Sequence, residues 1–270
     1  MIAQPMSSRG RAVYHFVRLF SLALVLLGAT GVRASVVFNW PSSPGWTAGT
    51  PGNGQTKTQS FTSVTTNDIT VSIYTSGVNN QGGYPQISTN STTGGLTGVN
   101  GLQLYISSTP TFGNFLRVTV SFATAVTNLS FQLWDVDAAA GQFVDKFANI
   151  QALAQGGGTV GATSVTSEVA GYNSITGTGL STVILGTAGA SNTTNQGTVD
   201  ITFAGPITQF SFEWSNNDNG RGAQAVGLGP LTYTPVPETR GIFGGIISCI
   251  VAASCEMLLR HRSRARKRPR

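Results

Sequence analysis

Between residues 35 and 234 the chain has no cysteine and no histidine; Cys249, Cys255, His15 and His261 all lie outside that stretch. The segment therefore cannot close a disulfide within itself. Nor can it build a Ser-His-Asp, Cys-His or zinc–histidine site. Charge is also scarce, at 10% of residues, and it is unevenly placed. The formal net charge of +6 invites a nucleic-acid reading until it is divided along the chain. Residues 1–34 carry Arg9, Arg11, Arg18 and Arg33 with no acid. Residues 35–234 carry eight acids against Lys57, Arg117, Lys146 and Arg221, a net charge of −4. The basicity thus sits in two ends around an acidic middle, which argues against nucleic acid as a partner. No amphipathic helical repeat stands out between those ends.

Glycine is plentiful, at 34 residues, and with Ser, Thr and Asn it fills the gaps between short apolar runs. That composition suits an extracellular β protein better than a helical enzyme. Strands are predicted near residues 36–40, 69–74, 102–107, 116–122, 129–136, 143–150, 182–185, 199–203, 207–214 and 226–233. Val118, Val120 and Phe122 alternate with Thr119 and Ser121; Leu129, Phe131 and Leu133 alternate with Ser130, Gln132 and Trp134. Such period-two patterns mark half-buried sheets. About ten strands imply two packed sheets, and the expected fold is an all-β, jelly-roll-like β-sandwich over residues 35–233. Long loops are expected at residues 41–58, 77–101 and 186–197, lining one rim.

The N-terminus reads as a signal peptide over residues 1–34. Arg9, Arg11 and Arg18 lead an apolar run over residues 19–27, and Val32-Arg33-Ala34 offers a cleavage site before Ser35. The run is short for a membrane span, which takes roughly 20 residues. At the other end, residues 234–240 hold a Pro/Glu motif and linker, and residues 241–259 are mostly apolar. A helix of that length at about 1.5 Å rise per residue reaches roughly 28 Å, near the hydrocarbon thickness. A basic tail over residues 260–270 closes the chain with Arg260, Arg262, Arg264, Arg266, Lys267, Arg268 and Arg270. Those charges are expected to stay cytoplasmic and to leave the sandwich outside the cytoplasm.

The motif Val236-Pro237-Glu238-Thr239, the single span and the arginine-rich end together resemble a PEP-CTERM sorting signal. Thr239 stands where that family usually has a second proline. The resemblance implies export, an exosortase-type processing enzyme and residence in the inner membrane with the ectodomain in the periplasm. It further implies release to the cell surface or medium after processing, often beside exopolysaccharide. The alternative is an ordinary anchor that is never cut. Asn128-Leu129-Ser130-Phe131, followed by Trp134-Asp135-Val136-Asp137 and Asp145, also resembles the uncharacterised ectodomains that carry such tails.

Two places could carry chemistry in the middle segment. Asp135 and Asp137 sit two apart at a strand end, with Asp145 opening the next strand; three carboxylates would suit calcium, which takes six to eight oxygens. The alternative is a turn whose aspartates accept backbone N–H bonds. Trp214 with Asn216, Asn217, Asp218 and Asn219 could form a glycan-binding rim, an aromatic beside amides, or else an ordinary β-turn with Trp214 in the core. Gly156-Gly157-Gly158-Thr159-Val160-Gly161 matches a dinucleotide fingerprint by letter, but no helix is expected to follow, so it reads as a hairpin. With so few acids no enzymatic activity is expected. A non-enzymatic surface or matrix protein is the leading expectation, and a glycan-binding module that retains exopolysaccharide is the alternative.

Overall fold

Apolar–polar alternation is realised as strand after strand. A computed structural model describes residues 34–62, 68–89, 98–107, 113–218, 220 and 222–237, and these contain no helix. The strands are β1 (Val36–Phe38), β2 (Thr56–Phe61), β3 (Ile69–Ser76), β4 (Asn79–Asn80), β5 (Gln86–Ser88), β6 (Gly101–Ser107), β7 (Phe115–Trp134) and β8 (Ala138–Ala139). They continue with β9 (Phe143–Ala154), β10 (Thr159–Gly161), β11 (Ser164–Ser167), β12 (Asn173–Thr176), β13 (Val183–Gly186), β14 (Val199–Phe203), β15 (Ile207–Asn216), β16 (Ala223–Leu228) and β17 (Leu231–Pro235).

The two strands expected over residues 116–122 and 129–136 are one strand, β7, bent in the middle. Its first half pairs with β3 on one side and β15 on the other. Its second half pairs with β14 and with β16 and β17. The bend is written in the phase of the alternation: Leu116, Val118, Val120 and Phe122 are buried at even positions, Leu129, Phe131 and Leu133 at odd ones. An extra residue must be absorbed between them, and Asn128, with φ 51°, does so in the left-handed region that Asn tolerates. β14 and β15 follow the same corner, their buried residues shifting from Val199, Ile201 and Phe203 to Phe210, Phe212 and Trp214. Register slips at Ile207/Gln209 and at Thr232/Thr234 mark the corner on both sides.

The bent ribbon therefore folds onto itself as two antiparallel layers, a β-sandwich with a shared corner. One layer runs β2–β3–β7–β15–β9, extended by β10 and β13 on β9. The other holds β11–β14–β7–β17–β1, with β16 and β6 continuing it. Phe131 and Phe210 meet between the layers, stacked at 4.6 Å, and Tyr233 closes on Phe122 at 5.3 Å. Each fully buried large apolar side chain contributes about 1.5–3 kcal/mol to this closure.

Three expectations need correction. The loop expected at residues 41–58 gives up its end to β2, whose first residue, Thr56, pairs with Tyr74. The stretch 77–101 carries β4 and β5, both paired with β6. The sandwich also continues past residue 233, since β17 runs to Pro235 and the Val236 N–H donates to the Ala125 carbonyl at 2.8 Å.

Candidate functional site

The three aspartates come together where β7 leaves the sandwich and β9 enters it. Asp145 is fully buried; its Oδ2 accepts from the Asp137 N–H at 3.1 Å and its Oδ1 from the Trp214 Nε1–H at 2.8 Å. Asp137 in turn accepts the Ala190 N–H on Oδ2 at 2.9 Å. Asp135 has φ 61°, is 6% exposed, and its Oδ1 has no hydrogen-bond partner. Gly186 packs so tightly on the Asp137 carbonyl that no side chain fits there. Nearby, the Val136 N–H donates to the Gly197 carbonyl at 3.0 Å.

Burial dominates the electrostatics of this turn. Desolvation, and then the Asp137 charge, raise the Asp135 carboxyl from 3.8 to about 8. Asp137 is also raised by desolvation, against the opposing pull of the Ala190 N–H and of Asp145. Asp145 is raised well above the usual range by burial, although both its hydrogen bonds favour the charged form. Calcium needs six to eight free oxygens. Asp145 commits both of its oxygens to protein donors, and Asp137 commits one. Among the described residues no group of three His, Cys, Asp or Glu side chains is placed to hold a metal ion. Asp137 and Asp145 act here as acceptors that close a turn, and Asp135 is buried beside them without a donor.

Of the two readings of the Trp214 segment, burial overturns the glycan rim and favours the turn with Trp214 in the core. Trp214 is 0% exposed, stacked on Phe147 at 6.4 Å, and its only polar group is spent on Asp145, so no ring face meets a sugar. Asn216 Oδ1 accepts from the Val144 and Asp218 N–H groups, both at 2.9 Å, and its Nδ2 donates to the Gly220 carbonyl. Asp218 Oδ1 accepts the Gly220 N–H at 3.3 Å, and the Asn217 N–H donates to Val144. These amides build the turn itself. Asn219 lies outside the described residues. Gly156-Gly157-Gly158 forms the β9–β10 hairpin, with the Gly157 N–H on the Ala154 carbonyl, as expected.

Val236 and Pro237 of the sorting motif are described; Glu238, Thr239, the expected span at 241–259 and the basic residues Arg260 to Arg270 lie outside the described residues, as do residues 1–33 of the expected signal peptide 1–34. Among the described residues no helix is long and apolar enough to cross a membrane.

Sequence reasoning missed the outer face of the β2–β3–β7–β15–β9 layer. Pairing register aligns its outward side chains into rows. One row holds Thr58, Ser72, Thr119, Ser211 and Gln151; the next holds Ser60, Thr70, Ser121, Gln209 and Leu153. A third holds Thr56, Tyr74, Arg117 and Glu213, with Asn149 bulged beside it at φ 51°. Side chains bond across the strands: Thr58 with Ser72 and Ser60 with Thr70 at 2.9 Å, and Gln209 Nε2 to Ser121 at 2.9 Å. Arg117 Nε donates to Glu213 at 3.0 Å, and Asn149 Nδ2 donates to the other Glu213 oxygen at 2.6 Å.

No family model and no curated protein sequence matches the chain. Among solved structures, a cleaved adhesin domain of Lys-gingipain is 11% identical, with a TM-score of 0.33, over 74% of this chain and 99% of that one. The N-terminal domain of a Streptococcus gordonii adhesin is 10% identical, with a TM-score of 0.36 over 73% of this chain, and the match spans 48% of that domain's chain. A family 11 carbohydrate-binding module from Clostridium thermocellum, in complex with a mixed-linked tetrasaccharide, is 11% identical, with a TM-score of 0.32, over 76% of this chain and 97% of that one. Likeness at this level assigns no function.

Proposed function

We propose that the chain is an exported, non-enzymatic surface or matrix protein: a jelly-roll-like sandwich carried out by a signal peptide and held by a PEP-CTERM-like tail until an exosortase-type enzyme processes it. The observation that carries this reading is the junction of fold and tail. β17 stays paired through Pro235, and Val236 is still bonded to Ala125, so in sequence the Pro237-Glu238 motif comes directly after the last residue tied to the sandwich. A processing site so placed would free the whole sandwich and little else. The acidic, histidine-free middle between two basic ends supports the same order of segments.

Intact mass of the cell-associated protein, together with a reporter fused just after Tyr233, tests the reading. Export predicts a mass lacking the leader and the residues beyond the motif, and a reporter active only outside the cytoplasm. A full-length mass with a cytoplasmic reporter would refute it.

A further inference from the structure

We infer that the outer face of the β2–β3–β7–β15–β9 layer binds a neutral polysaccharide, with Tyr74 as the ring on which a sugar stacks and the Gln151–Leu153–Gln209 depression as the seat of a ring substituent. The face is independent of the export route; purified protein binds or fails to bind wherever the cell places it.

Five strands at about 4.8 Å spacing make a surface about 19 Å wide, enough for several sugar rings. Its groups are hydroxyls and amides, which exchange hydrogen bonds with sugar hydroxyls in both directions. Each hydroxyl has one donor and two acceptor positions, so the Thr58–Ser72 and Ser60–Thr70 bonds leave capacity on every oxygen. Those bonds also fix the side chains in advance, which lowers the entropy lost on binding.

Charge selects the partner. The one acid and one base in the middle of the face, Glu213 and Arg117, neutralise each other, and Asn149 takes the remaining Glu213 oxygen. Lys146 lies one row beyond this pair, opposite Ser215 near the start of β9 and at the edge of the face. Among the described residues of the three central rows an anionic polymer finds no unpaired cation, whereas a neutral one needs no counter-charge and meets only the desolvation cost of the ion pair it covers.

Two features break the polar grid, and both suit a sugar. Tyr74 is half-buried and braced by Phe115 at 6.0 Å, with the Arg117 guanidinium 5.0 Å over the Phe115 ring. Three strands across from Tyr74 and one to two rows further along them, Gln151, Leu153, Thr159, Gln209 and Ser211 line a shallow depression of about 90 Å3. Leu153 is 42% exposed there, an apolar group beside two amides. That pairing fits a substituent with a small apolar part and a hydrogen-bonding part. A chain lying across β7 and β15 reaches both.

Affinity electrophoresis of the full chain in a non-glycosidic detergent tests this, with galactomannan, hydroxyethyl cellulose and dextran as neutral probes and alginate as the anionic one. At least one neutral polymer should retard the protein, and alginate should not. Tyr74→Ala should weaken the retardation roughly tenfold, and Tyr74→Phe should keep it, which separates stacking from misfolding. Tyr105→Ala, on β6 of the other layer, breaks the contact of Tyr105 with Tyr84 and should leave it unchanged. No retardation by any neutral polymer, retardation by alginate alone, or equal retardation of wild type and Tyr74→Ala would each overturn the inference.

Discussion

Replacing Asp135 with Asn should make the protein more stable, and the gain should appear only as pH rises. Asp135 sits in the left-handed region, where Asn is among the best-tolerated residues, so the backbone need not move. The folded state raises its carboxyl from 3.8 to about 8, chiefly by burial. A raised acid keeps its proton in the folded protein while the unfolded chain has released it. Stability is therefore complete below pH 3.8 and is lost progressively up to about pH 8. That window is about four pH units wide, and at roughly 1.4 kcal/mol per unit it caps the loss near 6 kcal/mol. Relaxation and water entry around the charged form reduce this, and about 2–3 kcal/mol at pH 8.5 is the expected difference. Urea denaturation followed by circular dichroism, at half-unit steps from pH 4 to 8.5, measures it. The Asp135→Asn curve should meet the wild-type curve near pH 4 and separate from it upward. Parallel curves across the range would refute the account of this carboxyl as a buried, unpartnered acid.

Two other changes probe the same turn. Trp214→Phe keeps the ring on Phe147 but leaves the fully buried Asp145 with one donor fewer, and should cost about 1–3 kcal/mol in the same urea assay. Gly186→Ala places a methyl against the Asp137 carbonyl, and a loss of about 1–3 kcal/mol is expected in thermal melts, whereas Gly189→Ala, whose nearest contact is an ordinary 3.5 Å, should be nearly silent.

Much of the fold was legible because period-two burial is written directly in the side chains. Val199–Phe203 occupies the residues expected of it, and β3 and β15 begin where the alternation begins. β2 was not legible, because Thr56-Lys57-Thr58-Gln59-Ser60 offers only Phe61 to the core. As an outermost strand of its layer it is defined by the partner it bonds to rather than by what it buries. The join of two expected strands into β7 was hidden for a different reason. Ala-Thr-Ala-Val-Thr-Asn between Phe122 and Leu129 reads as a break, yet its phase shift is what a bent strand requires.

The candidate sites divide along the same physical line. The aspartates were visible because carboxylates in an acid-poor chain stand out, but whether their oxygens faced an ion or a backbone N–H depended on loop residues 186–197, some 50 positions away. Trp214 was left open between rim and core because alternation assigns a side to a residue only once its neighbours are placed. Phe210, Phe212 and Trp214 share one parity, and a core that takes the first two must also take the third. The outer face was invisible to sequence for the converse reason. Thr, Ser and Gln at outward positions are what any soluble sheet needs to stay apart from its neighbours, so solubility and recognition select the same letters. Register separates the two. Only when β3, β7, β15 and β9 are aligned does Arg117 meet Glu213, Gln209 meet Ser121, and Leu153 stand exposed in a polar field.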